Sequence, residues 1–198
     1  MASPGRTPSV TRLETPTQAP APARRDVRSR KLLCKHALDR VGASLALLIA
    51  SPVLLSAAVL VKLSSSERVL VRERRIARDG SSYEMLAFPA LPILERWSID
   101  QLPQLVNVLR GEMSFVGPRP ERPEFVELFG ANLRRHDGPR RVRPGIAGWS
   151  QLQTLAGRAP LAERVRWDDW YVENWSLWLD VKIVLRTIWK VVRGEQPA

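Results

Sequence analysis

The sequence predicts a mostly helical α+β protein that is held in one leaflet of a membrane. An uncharged apolar run covers residues 41–61 and has Pro52 at its centre, residues 68–88 alternate like one small hairpin, and most other periodic segments are helical. Together these observations predict a monotopic architecture. Its parts are a re-entrant helix–break–helix, a small hairpin and amphipathic helices at the membrane interface.

The composition predicts a single domain and an anionic partner. The chain has 198 residues, with 31 lysines and arginines against 20 acidic residues and a formal net charge of +11. This excess favours nucleic acid, an anionic membrane surface or a phosphate-bearing substrate, and composition alone does not choose among them. Cys34 is the only cysteine, which excludes an intramolecular disulfide and a cysteine-based metal site.

The chain divides into three predicted parts. Residues 1–30 are rich in Pro, Ala, Ser, Thr and Arg and nearly free of large apolar side chains, which predicts a disordered tail. Residues 31–65 contain a basic flank and the re-entrant membrane helix. Residues 66–198 are predicted to form the domain on the cytoplasmic face.

The apolar run has the features of a helix that enters and leaves the membrane on one side. Pro52 follows Ser51 in its middle, and an interior proline removes a helix hydrogen bond. Each half spans roughly 15 Å as helix, about half of a hydrocarbon core. Both flanks are basic, which favours the cytoplasmic side for both ends. A single transmembrane span and a buried helix of a soluble domain are the alternatives.

The segment from residue 68 to Gly111 predicts a hairpin, a connector and a helix. The hairpin turns at Asp79-Gly80, and residues 89–97 form a connector with two prolines. Ser98 opens the helix, with a glutamine at the capping-box position three residues later, and Gly111 ends it.

The remaining sequence predicts two loops and three helices. The loops are residues 114–123 and 143–148, and the helices are residues 124–133, 161–173 and 175–193. The last helix has an apolar face with tryptophans and an opposite face with basic residues. This pattern is typical of a helix in the membrane interface, and a helix packed on the domain's own core is the alternative.

Three polar side chains have the chemistry of a phosphate site. Asp100 lies in the first turn of the predicted helix, where the helix dipole stabilises a carboxylate or a phosphate, and a plain capping role is the alternative. Arg119 lies between Pro118 and Pro120, which limit the entropy lost in holding a guanidinium against a phosphate. A surface turn is the alternative there. Glu121 could help to hold a divalent metal or pair with a nearby arginine.

Several pieces of the sequence, in a fixed order, carry a family resemblance. They are Lys35 and Asp39, Ser51-Pro52, Lys62-Leu63, SIDQLPQLVNVLRGEMSFVGPRPERP at residues 98–123, RVRPGIAGWSQ at residues 141–151 and WDDWYVENWSLWLDVKIVLRT at residues 167–187. With these pieces, the chain from about Lys35 to Val192 resembles the bacterial sugar transferase family. These are the polyprenyl-phosphate hexose-1-phosphate transferases, or monotopic phosphoglycosyl transferases, of exopolysaccharide and O-antigen assembly.

The resemblance implies a reaction in two steps. Asp100 attacks the β-phosphate of a UDP-hexose and UMP leaves, and polyprenyl (undecaprenyl) phosphate then attacks the phosphosugar-aspartate. Gln101 lies beside this nucleophile, while Arg119 and Arg143 bind substrate phosphate. Mg²⁺ held by Asp100 and Glu121 neutralises phosphate charge.

The resemblance also implies a location and a set of partners. Ser51 and Pro52 form the membrane break, and the catalytic domain lies on the cytoplasmic face of the bacterial inner membrane. The expected partners are the nucleotide sugar, the lipid phosphate and the cytoplasmic leaflet. Nucleic acid is not an expected partner, and self-association into a homo-oligomer is left open.

The chain departs from the family pattern beside the implied site. Gln101 replaces the usual glutamate, which keeps the capping geometry and loses the charge. Ala87 and Pro89 replace a lysine and an arginine. The alternative function is therefore a non-catalytic family member that acts as a membrane-bound binding or scaffold subunit in glycan assembly.

Overall fold

The computed structural model describes residues 25–64, 68–77, 81–124, 142–153 and 160–194, with side chains from residue 31 onward. Its elements are α1 (Arg25–Ser64), β1 (Val71–Ile76), β2 (Ser82–Ala87), α2 (Pro92–Arg96), a 3₁₀ turn (Ile99–Gln101), α3 (Gln104–Arg110), β3 (Ser114–Val116), β4 (Gly145–Ala147), α4 (Trp149–Gln153), α5 (Leu161–Glu173) and α6 (Leu177–Val192). The mostly helical α+β class is confirmed. The predicted turn at Asp79-Gly80 and nearly all of the predicted helix 124–133 lie outside the described residues.

The long helix α1 carries the apolar run. It begins at Arg25, so the last six residues of the predicted disordered tail are helical instead. Within the described part of the chain, residues 31–64 form the one helix that is long and apolar enough to cross a membrane. Large apolar side chains in its middle are exposed: Leu45, Leu48, Ile49, Val53, Leu55 and Val59.

Pro52 lies inside α1, which continues on both sides of it rather than separating into two helices as predicted. Proline has no N–H, so the carbonyl of Leu48, four residues earlier, loses its helical donor. The hydroxyl of Ser51 donates to that carbonyl at 2.7 Å. The pair Ser51-Pro52 therefore removes one backbone hydrogen bond and replaces it with a side-chain one, an arrangement that bends helices.

Both ends of the apolar run pack against the same domain. Ala43, near its start, is buried against Met85 of β2. Ala57 and Val61, near its end, are buried against Phe88, which follows β2 directly. The exposed middle of α1 is therefore bounded by two contacts with one hairpin.

The hairpin of β1 and β2 is antiparallel, as predicted, with Val71 opposite Ala87 and Ile76 opposite Ser82. Asn107 of α3 is fully buried and fixes this helix on the hairpin. Its Oδ1 accepts from the N–H of Leu86 at 3.0 Å, and its Nδ2 donates to the carbonyl of Glu84 at 2.7 Å. Because every polar atom of this buried amide is used, α3 has one register on β2.

The segment before α3 differs from its prediction in two ways. Pro92 starts the short helix α2 within the predicted connector, because a proline at the first helical position needs no donor. Ser98 does not cap a helix: its φ is 53°, its side chain makes no capping bond, and a 3₁₀ turn follows. The α-helix proper begins only after Pro103.

The two predicted loops at 114–123 and 143–148 contain short strands, β3 and β4, which pair in parallel. Gly117 and Gly145 make this pairing possible, because a Cβ on either residue would overlap the backbone of the other segment. The N–H of Gly117 donates to the carbonyl of Ala147, and the N–H of Gly145 donates to that of Pro118, both at 3.0 Å. The chain that carries Arg119 is thus fixed to β4.

A buried polar network ties the start of α1 to α6. The ammonium of Lys35 is 2.6 Å from Asp180 Oδ2, and this lysine is 2% exposed. Tyr171 donates to Asp180 Oδ1 at 2.6 Å, and Trp175 Nε1 donates to Oδ2 at 3.1 Å. Burial and the Asp180 charge raise the pKa of Tyr171, so its phenol keeps the proton that it donates. Asp39, one turn after Lys35, accepts from β3.

Helix α6 packs against the domain mainly with the face that carries its basic residues, rather than with its apolar face. The domain buries Asp180 and Ile183, which lie on the face with the basic residues. The apolar face is exposed: Leu177, Trp178, Val181, Leu185, Ile188, Trp189 and Val192. Lys182 lies over the ring of Trp178, and Arg193 lies over that of Trp189. Val184, at the margin of that face, packs against the core, while most of the face remains exposed.

Candidate functional site

Asp100 lies in the 3₁₀ turn at the end of β2. Its carbonyl accepts a hydrogen bond from the N–H of Phe88 at 2.9 Å, which fixes the turn beside the hairpin. Ser98, two residues earlier, is the one non-glycine residue with a positive φ among the described residues. Such backbone strain is found preferentially at functional sites, and no sequence rule predicted it here.

The carboxylate of Asp100 is half-buried and poorly solvated. Burial raises its pKa, the nearby charge of Glu95 raises it further, and backbone N–H groups of Asp100 and Gln101 oppose the change. Oδ1 is buried and has no hydrogen-bond partner among the described residues. A carboxylate oxygen without a donor keeps its lone pairs for an electrophile or a cation.

The positions that differ from the family pattern lie around Asp100. Ala87 and Pro89 flank Phe88, whose N–H bonds to the Asp100 carbonyl. Gln101 is half-buried, and its N–H donates to the carbonyl of Ser98 at 3.3 Å. The side-chain charge that acts on Asp100 is the acidic one of Glu95.

Arg119 lies in a loop that three elements hold. Beyond the contacts with β4, its N–H donates to Asp168 Oδ2 of α5 at 3.3 Å. Arg75 Nη1 of β1 donates to the carbonyl of Pro120 at 3.4 Å, and the N–H of Ile76 donates to that of Glu121 at 3.0 Å. The backbone around Arg119 is thus fixed before any ligand binds.

Two further arginines surround Arg119, and sequence reasoning did not assign either to the site. Burial lowers the pKa of Arg119, and so do the charges of Arg164 and Arg75, whereas Glu121 and Asp168 oppose them. The Nε atoms of Arg75 and Arg164 are buried without a hydrogen-bond partner among the described residues. We call Arg75, Arg119 and Arg164 the arginine cluster; it is suited to phosphate oxygens.

Asp100 and the arginine cluster lie at opposite ends of the hairpin. Asp100 adjoins the end where Val71 pairs with Ala87, and the cluster adjoins Arg75, four residues further along β1. Four residues of strand span roughly 13 Å, which is more than one phosphate group. No hydrogen bond or ion pair connects Asp100 with Arg119 in the described part of the chain.

The other predicted ligands are placed apart from Asp100. The charge of Glu121 raises the pKa of Arg119 and so opposes the effect of burial. The charges that act on Arg143 are Arg40 and Asp39, so this arginine belongs to the surroundings of α1. Within the residues that the structure describes, no three side chains of His, Cys, Asp or Glu group as metal ligands.

A family model described as bacterial sugar transferase matches residues 30–92 and 90–194. The two matched segments cover most of α1, the hairpin, the 3₁₀ turn, the arginine cluster and α6.

Three curated relatives are similar over most of the chain. A UDP-glucose:undecaprenyl-phosphate glucose-1-phosphate transferase of Escherichia coli (strain K12) is 36% identical over 80% of this chain and 40% of its own length. A protein of the same name from Caulobacter vibrioides is 35% identical over 79% of this chain and 68% of its own length. The exopolysaccharide production protein ExoY of Rhizobium meliloti is 33% identical over 79% and 84%. The chain thus spans less than half of the Escherichia coli relative.

Proposed function

The chain belongs to the bacterial sugar transferase family, and from this premise we propose that it transfers a hexose-1-phosphate from a UDP-hexose to undecaprenyl phosphate. The product would be a diphosphate-linked sugar that primes an exopolysaccharide or O-antigen type glycan. The observation that carries the proposal is the half-buried Asp100 carboxylate, which lies beside the strained Ser98 and whose Oδ1 has no hydrogen-bond donor in the described part of the chain.

In the first step, an Asp100 oxygen forms a bond to the β-phosphorus of the donor. The bond from that phosphorus to the bridging oxygen breaks, and UMP leaves with the electron pair. A carboxylate needs no proton removed before it attacks, so Gln101 does not have to act as a base. In the second step, a phosphate oxygen of the lipid attacks the same phosphorus and releases Asp100.

The arginine cluster is the proposed site for the donor's remaining negative charge. Its distance from Asp100 along the hairpin exceeds one phosphate group, so it suits a part of the nucleotide away from the reacting phosphorus. Arg119 is held by backbone contacts on three sides, so little further ordering is needed when an anion binds. Arg143 has different neighbours and is left out of this step.

Magnesium fits the surroundings of Asp100. Mg²⁺ binds through one or two carboxylates together with substrate phosphates, and Asp100 offers an oxygen that has no donor among the described residues. When bound there, the ion would neutralise charge on the diphosphate. Glu121 acts on Arg119 instead, so Asp100 and the substrate phosphates would hold the ion without the predicted Glu121.

The proposed location is the cytoplasmic leaflet of the bacterial inner membrane, with α1 as a re-entrant helix that turns at Pro52. The packing of Ala43 and Val61 against one domain supports this location, because a single span would put the two ends on opposite faces. The Ser51 bond to the Leu48 carbonyl supports it too, since a freed carbonyl has no water in hydrocarbon.

Labelling of single cysteines in intact cells tests this topology. In a Cys34→Ser background, cysteines placed at Arg30 and Glu73 should both be shielded from an impermeant maleimide. Pro52→Leu restores the missing N–H and should expose one of the two sites in a fraction of the molecules. Labelling of one site from outside without that substitution would establish a true span.

The exposed apolar face of α6 is proposed to lie in the same leaflet, with Trp178 and Trp189 at headgroup level. A peptide of residues 175–193 should gain helicity on anionic vesicles, and added salt should weaken the effect because its polar face is basic. Helicity that vesicles leave unchanged would argue for another partner of this face.

The proposed function is tested by incubating the purified chain with undecaprenyl phosphate, Mg²⁺ and a panel of UDP-hexoses. We expect release of UMP and a lipid-linked sugar with at least one donor. The acidic Glu95 and the missing cations at Ala87 and Pro89 favour the alternative, a non-catalytic scaffold subunit. Absence of UMP with every donor, while the Caulobacter vibrioides relative releases it, would support that alternative.

A further inference from the structure

A second basic cluster lies where α1 passes from the domain into its apolar run. His36 and Arg40 of α1 meet Arg143, which precedes β4. Arg40 is exposed, whereas His36 and Arg143 are half-buried. Because Val41 begins the uncharged run, Arg40 marks the level at which the chain would enter a membrane.

Gly111 leaves room for both guanidinium groups. A methyl group on this glycine would lie 2.7 Å from Arg40 Nη2 and 3.1 Å from Arg143 Nη1. Gly111 ends α3 with a φ of 81°, so the two cations lie over the C-terminus of that helix. The negative end of a helix favours cations, which explains how two like charges tolerate each other. The end of the helix does not, however, give the two guanidinium groups hydrogen-bond acceptors among the described residues.

Two buried nitrogen atoms of this cluster have no hydrogen-bond partner among the described residues. They are Arg143 Nη1 and His36 Nε2. In the same described residues, the Arg40 side chain has no hydrogen bond or ion pair. The nearest carboxylate, Asp39, accepts its hydrogen bonds from β3. One buried carboxylate therefore faces two arginines whose donors remain available to an anion.

We infer that Arg40, Arg143 and His36 form a binding site for the phosphate group of a membrane lipid, separate from the reacting site. The seven residues of α3, about 10 Å of helix, separate Gly111 from the 3₁₀ turn that carries Asp100. A phosphate held here is therefore not the one that reacts. The inference goes beyond the proposed function, because it requires no transfer reaction. A phospholipid headgroup and a polyprenyl phosphate offer the same chemistry to this site.

Native mass spectrometry of the full chain in detergent tests the site. The probes are dihexanoyl phosphatidylglycerol, farnesyl phosphate and dihexanoylglycerol, which has no phosphate. We expect saturable binding of a phosphate lipid and none of dihexanoylglycerol. The double variant Arg40→Gln/Arg143→Gln should bind the phosphate lipid roughly tenfold or more weakly, because charge-assisted hydrogen bonds are lost.

Arg110→Gln is the matched control, since Arg110 is exposed in the last turn of α3 and loses the same charge. Its binding should match that of the wild type. If the double variant does not fold, Arg40→Gln alone tests the site, because that side chain is exposed and unbonded in the described structure. Tighter binding of phosphatidylglycerol would identify a headgroup site, and tighter binding of farnesyl phosphate would identify a site that holds a polyprenyl phosphate apart from Asp100. Equal binding of the phosphate lipid by the wild type and the Arg40→Gln/Arg143→Gln variant, or binding of dihexanoylglycerol, would overturn the inference.

Discussion

Replacing Asp100 with asparagine should reduce UMP release by roughly a thousandfold or more, to the background of the assay. An amide oxygen cannot form the acyl phosphate on which the proposed first step depends. The side chains have nearly the same size, so the 3₁₀ turn and its bond from Phe88 should persist. The measurement is UMP formed per enzyme, together with intact-protein mass. The mass should show the phosphosugar adduct in the wild type and not in Asp100→Asn.

Glu95→Gln is the matched control for Asp100→Asn. It removes an adjacent acid without touching the nucleophile, so activity at neutral pH should survive. Burial and Glu95 raise the pKa of Asp100, and the protonated acid is a poor nucleophile. Activity should therefore fall as pH drops through that raised pKa, and Glu95→Gln should move the fall to lower pH. Undiminished UMP release by Asp100→Asn would exclude this residue as the nucleophile.

Lys35→Met should lower the free energy of unfolding by about 3–5 kcal/mol, because it leaves the buried Asp180 carboxylate without its cation. In a chain of this length, that corresponds to a drop in melting temperature of roughly 6–20 °C. The measurement is thermal unfolding of the detergent-solubilised chain, followed by circular dichroism.

Lys182→Met controls for the loss of a lysine charge, since Lys182 is exposed on the same helix as Asp180. It should change the free energy of unfolding by less than about 0.5 kcal/mol. Adding Asp180→Asn to Lys35→Met should recover part of the lost stability, because the uncompensated charge is then gone. Equal effects of Lys35→Met and Lys182→Met would show that the buried pair is not stabilising.

Patterns within short segments of the sequence predicted the elements that depend mainly on residues close together in the chain. The hairpin follows from alternation and a turn pair, and α5 and α6 follow from helical periodicity. The predicted helix cap at Ser98 was wrong because the capping-box rule considers only the spacing of the residues. Pro103 has no N–H to donate, and the α-helix begins only after it. Strands β3 and β4 have three residues each, too few to show a period, and they pair across a long segment.

The same difference between local patterns and contacts of distant segments applies to the candidate site. Asp100 and Arg119 stand in recognisable motifs, so the sequence indicated both. Arg75 and Arg164 reach Arg119 only through tertiary packing of β1 and α5, which no spacing rule detects. The grouping of Arg143 with Arg40 is likewise a product of packing. Motifs therefore indicated which side chains have phosphate chemistry, and the fold decided which of them act together.

The contact between Lys35 and Asp180 also sets an order of events during synthesis. The two residues are 145 positions apart, so the ribosome makes the lysine long before its carboxylate exists. At about 5–20 residues per second, the gap lasts roughly 7–30 s. The apolar run at residues 41–61 is made early in that interval, long before Asp180 is available. The buried pair can therefore form only late in synthesis, after most of the domain has been made.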